Sequence, residues 1–108
     1  MKLPPKAYVD PAKLRDYCLD TSHPEGKHKA RVFLSALGIT AEDTDWLMGE
    51  LLAAALREEC LSGRRTEYGQ RYTVDFLAIR NEREARLRSA WIIRPIEEFP
   101  RLVSCYVL

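Results

Sequence analysis

The hydrophobic period of this chain changes once, near Gly63, and that change limits its fold more than any other feature. Upstream, Ala30, Phe33, Leu34 and Leu37 recur at i, i+3, i+4 and i+7, which is the spacing of an amphipathic helix. Leu47, Met48, Leu51, Leu52 and Ala55 form a second, broader helical stripe. Downstream, Tyr72, Val74, Phe76 and Ala78 alternate with other residues, as in a strand with one buried face. Helices followed by closely connected strands predict an α+β domain, its helices packed on one face of an antiparallel sheet.

Local signals set the expected boundaries. Asp10 and Pro11 suit the N-cap and first position of a short helix over 12–19. A turn at His23-Pro24-Glu25-Gly26 leads into a helix over 27–37, closed by Gly38. Thr40 caps a third helix with acids in its first turn, which ends near Cys60 and Gly63. Strands are expected over 71–79, 86–93 and 101–107, with a turn at 81–85, giving a three- to four-stranded meander. Trp46 lies off the stripe of the third helix, and Trp91 is expected in the core.

Length and composition restrict the class. The 108 residues make one domain, 1–108, large enough for its own core. No apolar run approaches the roughly 20 residues that cross a bilayer, so no membrane partner is expected. The N-terminal stretch lacks the apolar centre of a signal peptide, which predicts a cytoplasmic protein. Cys18, Cys60 and Cys105 are odd in number and widely spaced, so they read as reduced packing residues. Neither a metal site nor a cofactor is expected.

The net charge of +1 gives no global case for nucleic-acid binding, but charge is segregated. Residues 40–60 hold one arginine against six acids, whereas residues 61–108 hold nine arginines against six acids. Arginine suits bidentate contact with phosphate or carboxylate. Both histidines, His23 and His28, lie at the start of the second helix beside Lys27, Lys29 and Arg31. Such a cluster can hold an anion, or it can be the solvated face of an ordinary helix.

Several runs also carry a family resemblance. They are Lys13-Leu14-Arg15-Asp16-Tyr17-Cys18-Leu19, Ser22-His23-Pro24 through Phe33, Glu67-Tyr68-Gly69-Gln70-Arg71-Tyr72, Arg88-Ser89-Ala90-Trp91-Ile92-Ile93-Arg94 and Phe99-Pro100-Arg101 to Leu108. Together they resemble a family of small bacterial domains of unknown function, found alone or at the C-termini of polymorphic toxins. The layout is similar to the barnase–EndoU–colicin–RelE group of RNases. The resemblance covers nearly the whole chain and implies a toxin-like, metal-independent endoribonuclease acting on RNA, held inactive by a cognate antitoxin or immunity-type protein.

Metal-free RNA cleavage needs a base, an acid and cations around the phosphorane. His23, Lys29 and Arg88 are the candidate catalytic residues. Lys27, Tyr68, Ser104 and Tyr106 are the candidate substrate contacts, and Tyr72 is a further stacking platform. Each has a competing reading. His23 can be a turn residue whose ring bonds backbone, and Lys29 can pair with acids of the third helix. Arg88 and Asp75 can form a cross-strand ion pair. The alternative function is a non-catalytic protein-interaction domain, and the apolar C-terminus also fits a homodimer contact.

Overall fold

A computed structural model describes residues 1–108. Helix α1 (Pro11–Lys13) starts as its sequence dictates, with the Asp10 side chain accepting from the Ala12 N–H at 3.0 Å. It does not continue as an α-helix to 19. Leu14–Cys18 forms a π-helical turn, closed by the Leu19 N–H donating to the Leu14 carbonyl. Helix α2 (Lys27–Leu37) has the expected bounds, and Gly38 closes it in the left-handed region at φ 70°. Thr40 and Asp43 form a reciprocal capping box around a single 3-10 turn (Ala41–Asp43). Helix α3 (Thr44–Arg57) follows and ends earlier than the sequence suggests, because the chain turns extended at Glu58.

The residues after α3 are a strand that the hydrophobic pattern does not announce. β1 (Leu61–Thr66) is an exposed edge strand with no buried alternation. β2 (Gly69–Arg80) and β3 (Arg83–Ile93) are longer than predicted, because the turn between them needs only Asn81 and Glu82. Asn81 adopts the positive φ that such a turn requires. β4 (Arg101–Val107) matches its expected span. The four strands form an antiparallel sheet in the order β1-β2-β3-β4.

Helices and sheet share one core. Val74, Phe76, Leu87, Trp91, Leu102 and Cys105 face Phe33, Leu37, Leu47 and Leu51 across it. Ser89 is fully buried among them and fully satisfied. It donates to the Val74 carbonyl and accepts from the Trp91 indole, both at 2.8 Å. Tyr72, opposite Trp91, packs on this same core face and is not an open stacking platform. Trp46 is half-buried at the periphery, with the Arg80 guanidinium 4.9 Å above its ring. All three cysteines are free and buried. No helix is long and apolar enough to cross a membrane.

The opposite sheet face carries no helix. Asp75, Leu77 and Ile79 of β2 alternate with the core positions, as do Arg86 and Arg88 of β3. A register shift in β4 makes Val103 an extra residue between Leu102, opposite Trp91, and Ser104, opposite Ala90. It sets Ser104 and Tyr106 on the open-face register beside Ala90 and Arg88. Tyr8 adds a single parallel bridge to Arg101 and so covers one end of the β4 edge.

Candidate functional site

The turn before α2 is built around His23. Its Nδ1 accepts from the backbone N–H groups of Glu25 (3.0 Å) and Gly26 (2.9 Å). The structural role weighed for this residue is therefore present. An accepting Nδ1 carries no proton, so the ring's hydrogen lies on Nε2. Gly26 is required here by close approach: a Cβ would fall 2.2 Å from the Tyr17 carbonyl oxygen. That contact ties the turn to the π-helical segment and places the Tyr17 ring edge-on to His23, with centroids 4.9 Å apart.

Tyr17, which the sequence did not single out, collects the next candidate. Lys29 donates to the Tyr17 hydroxyl at 2.8 Å, and its ammonium lies 4.7 Å from the ring centroid. Burial works against the Lys29 charge, but the Tyr17 hydrogen bond, with the Cys18 and Cys105 thiols nearby, outweighs it and raises the pKa. Lys29 thus stays cationic. It does not pair with the acids of α3.

Arg88 is held differently. Its Nε and one terminal nitrogen bond the two oxygens of Asp75, each at 2.8 Å, across the β2–β3 register. The cross-strand ion pair is therefore real, and its bidentate geometry is the strong form of such a contact. The Asp75 pKa is lowered, first by the Arg88 hydrogen bond, against a smaller cost of burial. Arg88 is pushed further towards its charged form by Asp75 and then by the Tyr106 hydroxyl beside it.

Tyr106 links the two groups. It sits opposite Arg88 in the register and also lines a shallow cleft with His28, Lys29 and Val32. Arg88 of the sheet and Lys29 of α2 therefore both reach the neighbourhood of one phenol at the β4 edge. Ser104 lies further along that edge, in a second cleft with Tyr17, Glu25 and Lys13. Its hydroxyl is 4.0 Å from the Cys18 thiol. Cys18 in turn faces Cys105, whose hydrogen bond favours the thiolate on Cys18, while the same contact and burial push Cys105 up.

The remaining candidates disperse. Lys27 begins α2 and is partly exposed. Tyr68, 71% exposed, stands in the β1–β2 turn at the far end of the sheet. There it lines a third cleft, of about 570 Å³, together with Arg71, Arg94 and Arg101. This cleft and the one beside Ser104 share Asp10, Lys13 and Val103, so the two are continuous along β4.

The family model of a domain of unknown function, DUF6883, matches residues 2–108. The chain belongs to that family. No curated protein matches it. In this DUF6883 chain the sequence candidates do not share one pocket: Lys29 and Tyr106 line one cleft, Ser104 a second and Tyr68 a third. Sequence reasoning missed Tyr17, although its place one turn before the His23 loop was a usable signal. It also missed Arg71 and Lys13, which become neighbours only when β4 carries the N-terminal segment to the sheet.

Proposed function

We propose that this DUF6883 chain is a metal-independent endoribonuclease that binds single-stranded RNA along the β4 edge of its sheet. The observation that supports the reading is the convergence of Arg88 and Lys29, from different elements, on Tyr106. Lys29 supplies an unpaired positive charge there, and Arg88, its charge met by Asp75, adds a hydrogen-bond donor held in place for a phosphorane. The resemblance to toxin-like RNases of similar layout supports the same direction, with a cognate antitoxin or immunity-type protein as the natural partner.

His23 serves as a hydrogen-bond donor to phosphate in this reading. With Nδ1 accepting from backbone, its Nε2–H is left to donate a hydrogen bond to a phosphate oxygen, while water takes the 2′-hydroxyl proton and returns one to the leaving 5′-oxygen. Arg88 contacts phosphate from the open face, and Asp75 is its positioning residue. Lys29 contacts phosphate from α2. Ser104 flanks the path of the strand, Lys27 adds a charge at the start of α2, and Tyr68 offers a stacking surface at the far end.

Cleavage of labelled RNA in EDTA tests the proposal. His23→Asn keeps a side-chain acceptor for the Glu25 and Gly26 N–H groups but removes the Nε2–H donor. Lys29→Met keeps the stem of the side chain and removes the charge. The expected result is EDTA-resistant cleavage by the wild type, lost by at least about a hundredfold in His23→Asn, with the fold unchanged by circular dichroism. Undiminished cleavage in both folded variants would reject the assigned site. No cleavage of any RNA by the folded wild type would reject the activity.

A protein-interaction role is the second reading. The apolar side chains of Leu77 and Ile79 lie 45% and 57% exposed on the uncovered sheet face, with Leu108 54% exposed at the end of β4. Complex formation without RNA cleavage is its expected signature.

A further inference from the structure

The cleft of about 570 Å³ at the Tyr68 end of the sheet has features that the catalytic residues do not use. Its cations come from three separate elements: Lys13 from α1, Arg71 from β2 and Arg94 from the β3–β4 loop. Lys13 and Arg71 enter no ion pair, and Arg94 has only a 3.8 Å contact to Glu97. Two carboxylates are nearby, Asp10 and Glu67, and Asp10 is already occupied in capping α1.

The fourth cation is a wall rather than an anion contact. Arg101 gives its Nε and a terminal nitrogen to Glu97 at 2.6 to 3.0 Å. Its guanidinium plane lies 5.1 Å from the Tyr8 ring centroid and 5.0 Å from that of Phe99. A planar group fixed between rings in this way gives the cleft a rigid flat side. Ile92 lies between Arg71 and Arg101 in the cross-strand row and supplies an apolar floor. Tyr68 and Ile96 stand at the mouth, 71% and 96% exposed.

We infer that this cleft binds a nucleotide, its phosphate held by Arg71, Lys13 and Arg94 and its base stacked against Tyr68. Free guanidinium and ammonium groups select a phosphate, which arginine contacts bidentately. The exposed ring and apolar floor select a planar base over a free anion. The volume lies within the range of small-ligand pockets, about 300–1,000 Å³. The choice of a nucleotide rests on the RNA reading above, and it extends that reading to residues outside the catalytic set. Arg71 and Arg88 lie four residue positions apart along the β2–β3 ladder, so the cleft is about 13 Å from Arg88. It would hold a nucleotide flanking the cut site rather than the scissile phosphate itself.

Titration of the intact, isotope-labelled protein with uridine and adenosine 5′-monophosphates tests this by amide NMR. A monophosphate has no internal phosphodiester, so binding is read independently of cleavage. Shifts at Arg71, Ile92 and Arg94 are expected at up to millimolar ligand, with weaker binding of inorganic phosphate and of the bare nucleosides. Arg71→Ala should weaken the monophosphates about tenfold or more, and Tyr68→Ala should do so by a similar factor while leaving phosphate binding unchanged. Equal affinity for inorganic phosphate and the monophosphates would overturn the nucleotide assignment. So would the absence of shifts, or shifts confined to Arg88 and Tyr106. Monophosphate binding in the cleft by a protein that leaves RNA intact would keep the cleft and reject the nuclease. RNA cleavage with no monophosphate shifts, and unchanged by Arg71→Ala and Tyr68→Ala, would do the reverse.

Discussion

The two faces of this sheet use polar groups in opposite ways. On the packed face the one buried polar side chain of the strands, Ser89, has both hydrogen-bonding capacities filled by Val74 and Trp91. On the open face, Arg88 is tied to Asp75 but remains partly exposed, and Arg71 has no ionic partner. A polar group enclosed by the core must be satisfied internally, because leaving it unpaired costs about 1–3 kcal/mol. A charge at the surface carries no such obligation and can remain available to a ligand. The faces therefore divide the work, stability on one and, in the proposed reading, recognition on the other, and they meet at the β4 edge.

Substitutions on the packed face should give the largest stability losses. Trp91→Ala removes the largest fully buried side chain and should cost about 3–5 kcal/mol in denaturant unfolding. A loss under about 1 kcal/mol would mean that this face is not the stabilising one. Ser89→Ala should follow, at about 1–3 kcal/mol, because the Trp91 indole N–H then loses its acceptor. If it were neutral, Ser89 would be a packing residue whose hydrogen bonds do not matter.

The open face should respond to pH and ligand instead. The Asp75 pKa is lowered in the folded state, so its stabilising contribution is present above the unfolded value of about 3.9. That contribution fades as pH falls through the lower folded value. Asp75→Asn should therefore flatten the acid limb of the stability curve while shifting neutral stability less than Ser89→Ala does. An unchanged acid limb would assign acid sensitivity to other carboxylates. Arg71→Ala should have the smallest effect on stability, within about 0.5 kcal/mol, because its side chain is exposed and unpaired. Its effect should appear in nucleotide binding, and a marked loss of stability would show that Arg71 supports the fold.

Local sequence signals were most legible where backbone chemistry alone decides the outcome. Gly38 fixes the end of α2, and the alternation from Tyr72 to Ala78 assigns the packed face of β2. The π-helical turn was not legible, because Leu14–Cys18 has an ordinary helical composition. It lies where the chain brings the Tyr17 carbonyl against Gly26, a backbone contact that no side-chain pattern announces. β1 was missed for a related reason. Leu61 is 70% exposed, so an edge strand with neither face buried leaves no period to read.

Candidate residues were legible by type, but their environments were not. The sequence shows that His23, Lys29 and Arg88 can carry charge or move protons. It does not show that backbone N–H groups occupy His23 Nδ1, that Tyr17 binds Lys29, or that Asp75 holds Arg88 by both oxygens. The nucleotide cleft is harder still, since its cations lie at positions 13, 71 and 94 and meet only through the strand order.

The most direct measurement is amide NMR mapping of an uncleavable 2′-deoxy oligonucleotide on the intact protein. Perturbations should run along the β4 edge and the open face, through Lys29, Tyr106, Arg88 and Arg71, and the packed core should stay silent. An oligonucleotide that binds without touching those positions, or does not bind at all, would contradict the assignment of RNA recognition to this face.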